Sequence, residues 1–253
     1  MKKITLITDL DNTLIYSYKK ASLEKDICVE EIHGKPQGFM TQYAYELFAQ
    51  LYDKVEIVPI TTRSVEQYKR IKWQQGKAPR YAICANGGIL LENGEINEAW
   101  LNETHRQIDK YRAERKRLEE LLLKEDLYIR VRQVDDIYLF SYIKEGVDIQ
   151  KKAKEYKDIT PLNVIASGKK LYFFPPIINK GEATRKIKNL LNMGETISAG
   201  DSTIDVPMLN ETDYRVIPNN YLKEYVKSEG LIICKDEPLS DLVLRTVKEK
   251  SDT

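Results

Sequence analysis

The stretch LITDLDNTLIYS, at residues 6–17, joins a short apolar run to two aspartates that stand one residue apart. The apolar run predicts the end of a buried strand, and Asp9 and Asp11 follow it directly. In an open parallel sheet, ligands bind beyond the carboxyl ends of the strands, so both aspartates are expected in a ligand crevice. Two carboxylates this close repel each other and need a compensating cation, for which Mg²⁺ is the usual hard, oxygen-seeking choice.

The rest of the chain predicts an α/β fold, because apolar strands alternate with helical patterns on both sides of a central block. This alternation implies a Rossmann-like, doubly wound parallel sheet covered on both faces. The predicted strands are ITLIT (4–8), VEIVPI (55–60), YAICA (81–85), TISAG (196–200), YRVI (214–217) and LIIC (231–234). The predicted helices are TQYAYELFAQL (41–51), SVEQYKRIKW (64–73, with Ser64 as N-cap), GEATRKIKNLL (181–191) and SDLVLRTVKEK (240–250).

The central block, residues 86–176, has a different pattern and is interpreted as an inserted α+β cap domain, with residues 1–85 and 177–253 forming the core. One long helix is expected over 103–126 and another over 147–157. Two hairpins are expected, one turning at 135–136 and one at Gly168. A further hairpin is predicted within residues 16–40, a segment longer than a usual strand-to-helix loop, as a flap beside the site, with a plain surface excursion as the alternative.

Composition narrows the possible partners and location. The 253-residue chain has a formal net charge of +1, which gives no long-range attraction for nucleic acid or an anionic membrane. No apolar run approaches the roughly 20 residues of a membrane-spanning helix. The three cysteines, Cys28, Cys84 and Cys234, predict neither a disulfide framework nor a zinc site. A cytoplasmic protein, monomeric or a small homo-oligomer, is expected.

Further polar groups follow the other apolar runs. Asp201 and Asp205 follow the strand TISAG, Thr61 follows VEIVPI, and Lys180 opens a helix. Acids, a hydroxyl and a lysine at strand ends and helix starts are typical of a phosphoryl-transfer site. One acid attacks phosphorus, while the lysine and a metal ion neutralise charge.

These segments also resemble the four motifs of the haloacid dehalogenase (HAD) superfamily, in order and over essentially the whole chain. DLDNTL resembles the first motif, DxDxT, and ITTRS the second; Lys180 fits the third and GDSTIDVPML the fourth, GDxxxD. The position of the cap between the second and third motifs resembles the type-2-capped branch, subclass IIB, which includes Cof-like sugar phosphatases, sucrose-phosphate phosphatases and phosphomannomutases. ANGG, at residues 85–88, is similar to that branch's NGA/NGG start of the cap.

The resemblance implies roles for the acids and the lysine. Asp9 is expected to attack phosphorus and form an aspartyl-phosphate. Asp11 is expected to protonate the leaving oxygen, and then to take a proton from the water that resolves the intermediate. Lys180 is expected to neutralise the charge of the phosphoryl group and of Asp9.

The second motif supplies the expected phosphate and substrate contacts. Thr61 is the first candidate for the phosphate-binding hydroxyl, because Thr61-Thr62-Arg63 aligns with the family's T-G-R, and Thr62 is the fallback. Arg63 is expected to bind phosphate or substrate, with a surface role beside a helix start as the alternative. Asn86 and Gly87 are further expected substrate-binding positions.

The metal site implied by the resemblance uses Asp9, the main chain of Asp11, and Asp201. Asp205 is expected either to bind the metal or to orient Lys180. The chain departs from the family at Ile204, where the branch often has an asparagine that helps to hold the metal site.

The expected function is therefore a Mg²⁺-dependent phosphatase that hydrolyses a small phosphomonoester, such as a sugar or polyol phosphate. Two alternatives remain open. One is a phosphomutase of the phosphomannomutase type, which returns the phosphoryl group to the sugar. The other is a binding protein on a HAD scaffold with reduced catalysis, which the presence of Asp9, Asp11, Lys180 and Asp201 argues against.

Overall fold

The computed structural model describes residues 4–252, apart from the side chain of Asn220, and these residues form fifteen strands and eight α-helices. The strands are β1 Thr5–Thr8, β2 Tyr16–Ser17, β3 Ile27–Ile32, β4 Lys35–Met40, β5 Glu56–Pro59, β6 Tyr81–Cys84, β7 Ile89–Glu92, β8 Glu95–Ile96, β9 Tyr128–Val134, β10 Tyr138–Ile143, β11 Asn163–Ser167, β12 Lys170–Phe174, β13 Thr196–Ala199, β14 Tyr214–Ile217 and β15 Leu231–Ile233. The helices are α1 Gln42–Leu51, α2 Val65–Lys69, α3 Glu98–Ile108, α4 Arg112–Lys124, α5 Ile149–Lys157, α6 Lys180–Leu190, α7 Val206–Leu209 and α8 Leu239–Ser251.

The core is a five-stranded parallel sheet in the order β15-β14-β13-β1-β5. A parallel bridge between Ile60 and Ile83 continues this sheet to β6. All four residues of β1 are buried, as expected for a central strand with helices on both faces. The predicted doubly wound α/β core is therefore confirmed.

Successive residues of β1 supply the two faces of the sheet. Leu6 belongs to a buried cluster with Phe48 of α1 and Leu244 of α8. Ile7 belongs to a second cluster with Ile187 of α6. Each such side chain contributes about 1.5–3 kcal/mol when it is removed from water. This packing fixes the carboxyl end of β1, and hence Asp9, at the centre of the sheet edge.

The cap contains a four-stranded antiparallel sheet in the order β11-β12-β10-β9. One face, including Leu139 and Phe173, packs against Leu118 and Leu122 of α4. The other face carries aromatic residues, among them Tyr172, and joins the buried cluster of the core. Both predicted cap hairpins are present, so the cap presents an aromatic face towards the core.

Two predicted helices differ from the observed ones. The single long helix expected over 103–126 is wrong: α3 and α4 are separated by a 3₁₀ turn at Asp109–Tyr111. The break arises because Trp100 of α3 packs in the core, whereas Leu118 of α4 packs in the cap. The helix expected over 64–73 ends at Lys69, since the backbone N–H of Lys72 donates to the carbonyl of Val29 in the flap hairpin.

The flap hairpin predicted within residues 16–40 is present as a sheet in the order β2-β4-β3. The cap boundary expected at residue 86 remains a proposal. Because β7 pairs with β6 and Trp100 of α3 packs in the core, these contacts favour a later boundary, near Arg112. No helix within residues 4–252 combines the length and the apolar character that a bilayer crossing requires.

Three hydrogen bonds hold the cap and its connections on the core. The Tyr138 hydroxyl donates to the carbonyl of Thr62 (2.6 Å), and the N–H of Val65 donates to Asp135 Oδ2 (2.8 Å). The amide of Asn86 donates to the carbonyl of Ile178 (3.2 Å), which ties the outgoing segment to the returning one. The cap hairpin therefore contacts the loop after β5, which carries the second motif.

The buried Arg115 of α4 supports this cap hairpin at its turn. Its guanidinium donates to the carbonyl of Asp136 (2.6 Å) and to Gln133 Oε1 (3.2 Å), and it forms an ion pair with the carboxylate of Asp136. We predict that Arg115→Ala lowers the free energy of unfolding by about 2–3 kcal/mol, because the charge-assisted hydrogen bonds of a buried guanidinium group are lost.

Urea-induced unfolding measures this change. The matched control is Arg112→Ala on the same helix, because among residues 4–252 the exposed Arg112 forms an ion pair only with the exposed Asp109. The control is expected to change stability by less than about 0.5 kcal/mol. Equal effects of the two substitutions would contradict the support that we assign to Arg115.

Candidate active site

Three segments of the core meet at the carboxyl end of the sheet around one lysine. Lys180 is the first residue of α6, and its side chain is almost fully buried. Its Nζ lies 2.5 Å from Asp9 Oδ1 and 2.6 Å from Asp205 Oδ1. The sequence-predicted Asp9, Lys180 and Asp205 are thus in direct contact.

The charges of this cluster do not balance. Burial raises the pKa of Asp9 well above its ordinary value; Lys180 opposes this rise, and the carboxylates of Asp205 and Asp201 add to it. Burial alone would lower the pKa of Lys180, but Asp205 and Asp9 outweigh burial and raise it. Lys180 contacts two carboxylates, and the carboxylate of Asp201 lies within 4.8 Å of both, so the site favours the uptake of a further positive charge.

Asp201 and Asp205 have different surroundings. Asp205 Oδ2 accepts hydrogen bonds from the backbone N–H groups of Asp201 and Ser202 and from the Ser202 hydroxyl, while Oδ1 faces Lys180. Within residues 4–252, the carboxylate of Asp201 accepts no hydrogen bond and forms no ion pair. Burial, with the charge of Asp205, raises its pKa from 3.8 to about 7. Of its two expected roles, Asp205 is placed for orienting Lys180, whereas Asp201 is free to bind a cation.

The donor set fits a hard divalent cation. One carboxylate oxygen from each of Asp9, Asp201 and Asp205 lies within 4.8 Å of the others. Oxygen donors are those that Mg²⁺ prefers, and the unpartnered Asp201 supplies a ligand without breaking an existing contact. The carboxylate of Asp11 is not part of this group, so the expected binding of the metal by the Asp11 main chain stays a prediction. Ile204 is buried, and its side chain offers no oxygen.

The two threonines of the second motif face different surroundings. Thr61 is fully buried, and its hydroxyl accepts a hydrogen bond from the backbone N–H of Arg63. Thr62 lines a cavity of about 380 Å³ together with Asp9, Asp11 and Lys180. The expectation for Thr61 therefore stays a prediction, and the placement favours the fallback, Thr62.

The carboxylate of Asp11 is bound by an arginine and stands apart from the cluster of Asp9, Lys180 and Asp205. Arg63 donates from Nη2 to Asp11 Oδ1 (2.7 Å) and from Nε to Oδ2 (3.0 Å). Burial of Asp11 opposes ionisation, but the charge and hydrogen bonds of Arg63 outweigh burial and lower the pKa of Asp11. The structure therefore holds Asp11 as a carboxylate, the form that accepts a proton.

The flap extends this contact into a charged network. The buried carboxylate of Glu30, on β3, lies 2.8 Å from Arg63 Nη1 and 3.1 Å from Arg70 Nε. Arg63 is consequently shared between the flap and Asp11, and the surface role that the sequence left open for it does not apply.

Asn86 and Gly87 lie at the start of the cap connection and line neither this cavity nor the larger one beside it. Asn86 is buried and has a positive φ of 59°. Gly87 has a φ of 116°, a conformation that favours glycine, and a Cβ there would lie 3.0 Å from the carbonyl oxygen of Asn179. Substrate binding by these two residues stays a prediction, while their contacts are those of a tightly packed connection.

Sequence reasoning assigned no role to two residues that contact the site. The buried Thr13 donates from its hydroxyl to Asp9 Oδ2 (3.4 Å), and its signal was already visible as the threonine of DxDxT. Glu30 had no such signal, because the flap that brings it to Arg63 is distant in sequence and has no motif of its own.

A comparison with models of protein families identifies the family of this chain. The family model for haloacid dehalogenase-like hydrolases matches residues 95–234, which is more than half of the chain. The chain belongs to the haloacid dehalogenase-like hydrolases. This membership confirms the expected family, and it identifies the protein as a hydrolase. No curated protein sequence matches the chain.

Solved structures of low sequence identity share the fold. Sucrose-phosphatase from Synechocystis sp. PCC6803, in complex with sucrose and phosphate, is 18% identical with a TM-score of 0.70, over 100% of this chain and 99% of that chain. The C-terminal domain of trehalose-6-phosphate phosphatase from C. albicans is 16% identical with a TM-score of 0.60, over 99% and 92%. A HAD-superfamily phosphatase from Bacteroides thetaiotaomicron is 15% identical with a TM-score of 0.60, over 98% and 95%. The match over nearly whole chains shows that the core and the cap share the fold of these structures.

The unbalanced charge at Asp201 predicts a pH-dependent stability. Because the folded protein binds a proton on Asp201 up to about pH 7 and the unfolded chain only up to about 3.8, the metal-free protein gains stability as the pH falls through this window. At pH 8 in chelator, Asp201→Asn should therefore raise the free energy of unfolding by at least about 1 kcal/mol, and this gain should shrink towards pH 4.

Urea titrations at the two pH values measure the difference. Asp158→Asn, at an exposed position in the cap, is the matched control and should leave stability unchanged at both. A destabilised Asp201→Asn protein at pH 8 would show that Asp201 does not carry the unbalanced charge.

Proposed function

We propose that this protein is a Mg²⁺-dependent phosphatase that hydrolyses a small phosphomonoester through an aspartyl-phosphate on Asp9. One observation carries the proposal. Asp9 is buried at the carboxyl end of the central strand and contacts Lys180, beside a cavity into which the unpartnered Asp201 also faces. Family membership supports hydrolytic chemistry in general, and this arrangement supports phosphoryl transfer in particular.

The first half-reaction is nucleophilic. A carboxylate oxygen of Asp9 attacks phosphorus, the bond from phosphorus to the ester oxygen breaks, and Asp11 supplies the proton to the departing oxygen. Lys180 would hold positive charge beside the transferring group, and Thr62, which lines the cavity, would contact a phosphoryl oxygen. Because Arg63 stabilises ionised Asp11, this step requires Asp11 to move away from Arg63 and take up a proton.

The second half-reaction uses Asp11 as a base. Water attacks the aspartyl-phosphate, its proton passes to Asp11, and inorganic phosphate and the Asp9 carboxylate are released. The lowered pKa of Asp11 suits this step. Asp9 and Asp201 would hold the divalent cation, which supplies charge neutralisation for the phosphoryl oxygens.

The neighbouring structures suggest the class of substrate. Their names describe phosphatases of sucrose phosphate and of trehalose 6-phosphate. We extend to this chain a small phosphorylated metabolite of the sugar or polyol kind, bound between core and cap. A cytoplasmic location and a monomeric or small homo-oligomeric state belong to the same proposal.

We predict that the wild-type protein releases inorganic phosphate from p-nitrophenyl phosphate and from sugar phosphates with Mg²⁺, and not in excess chelator. Asp9→Asn should reduce turnover to background, because it removes the nucleophile. Asp11→Asn should reduce turnover by roughly 10²–10⁴-fold, the usual range for general acid–base catalysis. A colorimetric phosphate assay measures all three proteins.

Asp53→Asn serves as the control, because Asp53 is exposed and, within the described part of the chain, forms an ion pair only with Lys77 on the surface. Circular dichroism verifies that each variant is folded. Retention of most of the turnover by folded Asp9→Asn would refute the covalent mechanism. Transfer of the phosphoryl group to a second sugar, in place of phosphate release, would identify the phosphomutase alternative.

A further inference from the structure

A second, larger cavity lies between the flap, the loop after β5 and the cap sheet. Its volume is about 600 Å³. Asp11, Thr62 and Tyr172 line both this cavity and the cavity of about 380 Å³ beside Asp9, which we call the catalytic cavity. A leaving group attached to a phosphoryl group at Asp9 would extend into this space. The chemistry of its walls therefore bears on the substrate.

Two cations face this cavity from the cap sheet on either side of an aromatic ring. In the strand register, Phe140 of β10 lies opposite Arg132 of β9, and the neighbouring Tyr142 lies opposite Lys170 of β12. The Arg132 guanidinium carbon lies 5.9 Å from the centroid of the Phe140 ring, and Lys170 Nζ lies 6.0 Å from it. The three side chains thus form one patch on the face of the sheet that lines the cavity.

Neither of these cations has an acidic partner among residues 4–252. No carboxylate approaches Arg132 or Lys170 as an ion pair, and the buried Nε of Arg132 has no hydrogen-bond acceptor. The two arginines across the cavity differ in this respect, since Arg63 and Arg70 are both neutralised by Glu30. Lys19 of the flap also lines the cavity and forms no ion pair among residues 4–252, so the uncompensated positive charge lies on the two cap residues and on Lys19.

An unpartnered buried guanidinium N–H is costly, because it loses water without gaining an acceptor. A neutral sugar hydroxyl would satisfy the hydrogen bond, but it would supply no anion to the half-buried Arg132 or to Lys170, whose exposed ammonium group is otherwise solvated by water alone. A carboxylate or phosphoryl group would satisfy both, since arginine binds these groups with charge-assisted, often bidentate hydrogen bonds.

We propose that Arg132 and Lys170 form a second anion-binding site on the cap, so that the substrate is a phosphate ester whose leaving group carries a further carboxylate or phosphoryl group. This inference rests on the proposed phosphatase function. Lys170 also lines the catalytic cavity. The second anion would bind between the two cavities while the carbon skeleton contacts the aromatic face of the cap.

Ligand binding tests the inference without requiring turnover. Titration calorimetry with the Asp9→Asn protein and Mg²⁺ compares two matched pairs of probes. Glycerol 3-phosphate and 3-phosphoglycerate differ by a carboxylate, and fructose 6-phosphate and fructose 1,6-bisphosphate differ by a phosphate. We expect the doubly anionic member of at least one pair to bind roughly 10- to 100-fold more tightly, and the pair that shows this identifies the anion.

Substitutions locate the preference. Arg132→Gln and Lys170→Met, each in the Asp9→Asn background, should remove most of it. Arg130→Gln is the matched control, since Arg130 lies on the same strand, is exposed and does not line the cavity. That control removes the same charge and should keep the preference for the doubly anionic ligand. It therefore distinguishes a local binding site from a general electrostatic attraction between the cap and an anion.

The outcomes for the two proposals are distinguishable. Equal affinities within both pairs, or a preference that survives both cap substitutions, would overturn the anion site even if the wild-type protein is an active phosphatase. Failure of the wild-type protein to hydrolyse any ester, together with a preference that depends on Arg132, would instead overturn the phosphatase proposal and retain the anion site.

Discussion

The ammonium group of Lys180 lies buried between the carboxylates of Asp9 and Asp205, and the arrangement of the catalytic cavity depends on this contact. It joins the end of β1, the start of α6 and the loop after β13, which are far apart in sequence. The hydrogen bonds that Asp205 accepts from Asp201 and Ser202 then shape the loop that presents Asp201. One ionic contact thereby positions Asp9, the proposed nucleophile, beside the free carboxylate of Asp201.

Such a buried cluster is a poor source of stability. The desolvation of buried charges can exceed their mutual attraction, and a third carboxylate beside one ammonium adds repulsion. A function explains the cluster better than stability does, because a bound cation would neutralise the excess negative charge of the carboxylates. The charge of Asp11 is likewise compensated by a neighbouring group, the guanidinium of Arg63. Arg63 also forms an ion pair with Glu30 of the flap.

The parts of the site that the sequence predicts are those set by the core sheet. Asp9, Lys180 and Asp201 each stand at a strand end or helix start, and the parallel sheet brings such positions together whatever the loops do. The contact between Asp11 and Arg63 was not predictable, because it depends on side-chain direction. The break between α3 and α4 was missed because one continuous helical pattern serves two layers, with Trp100 in the core and Leu118 in the cap.

The central claim is that Asp9 carries the phosphoryl group during turnover. The most direct test mixes the wild-type protein with a good substrate and Mg²⁺, quenches with acid within milliseconds, and maps phosphorylated peptides by mass spectrometry. We expect one added phosphoryl group on the peptide that contains Asp9, located on Asp9 by fragmentation, and we expect it to disappear once the substrate is exhausted. A phosphoryl group on another residue, or rapid turnover with no phosphorylated peptide at any quench time, would contradict it.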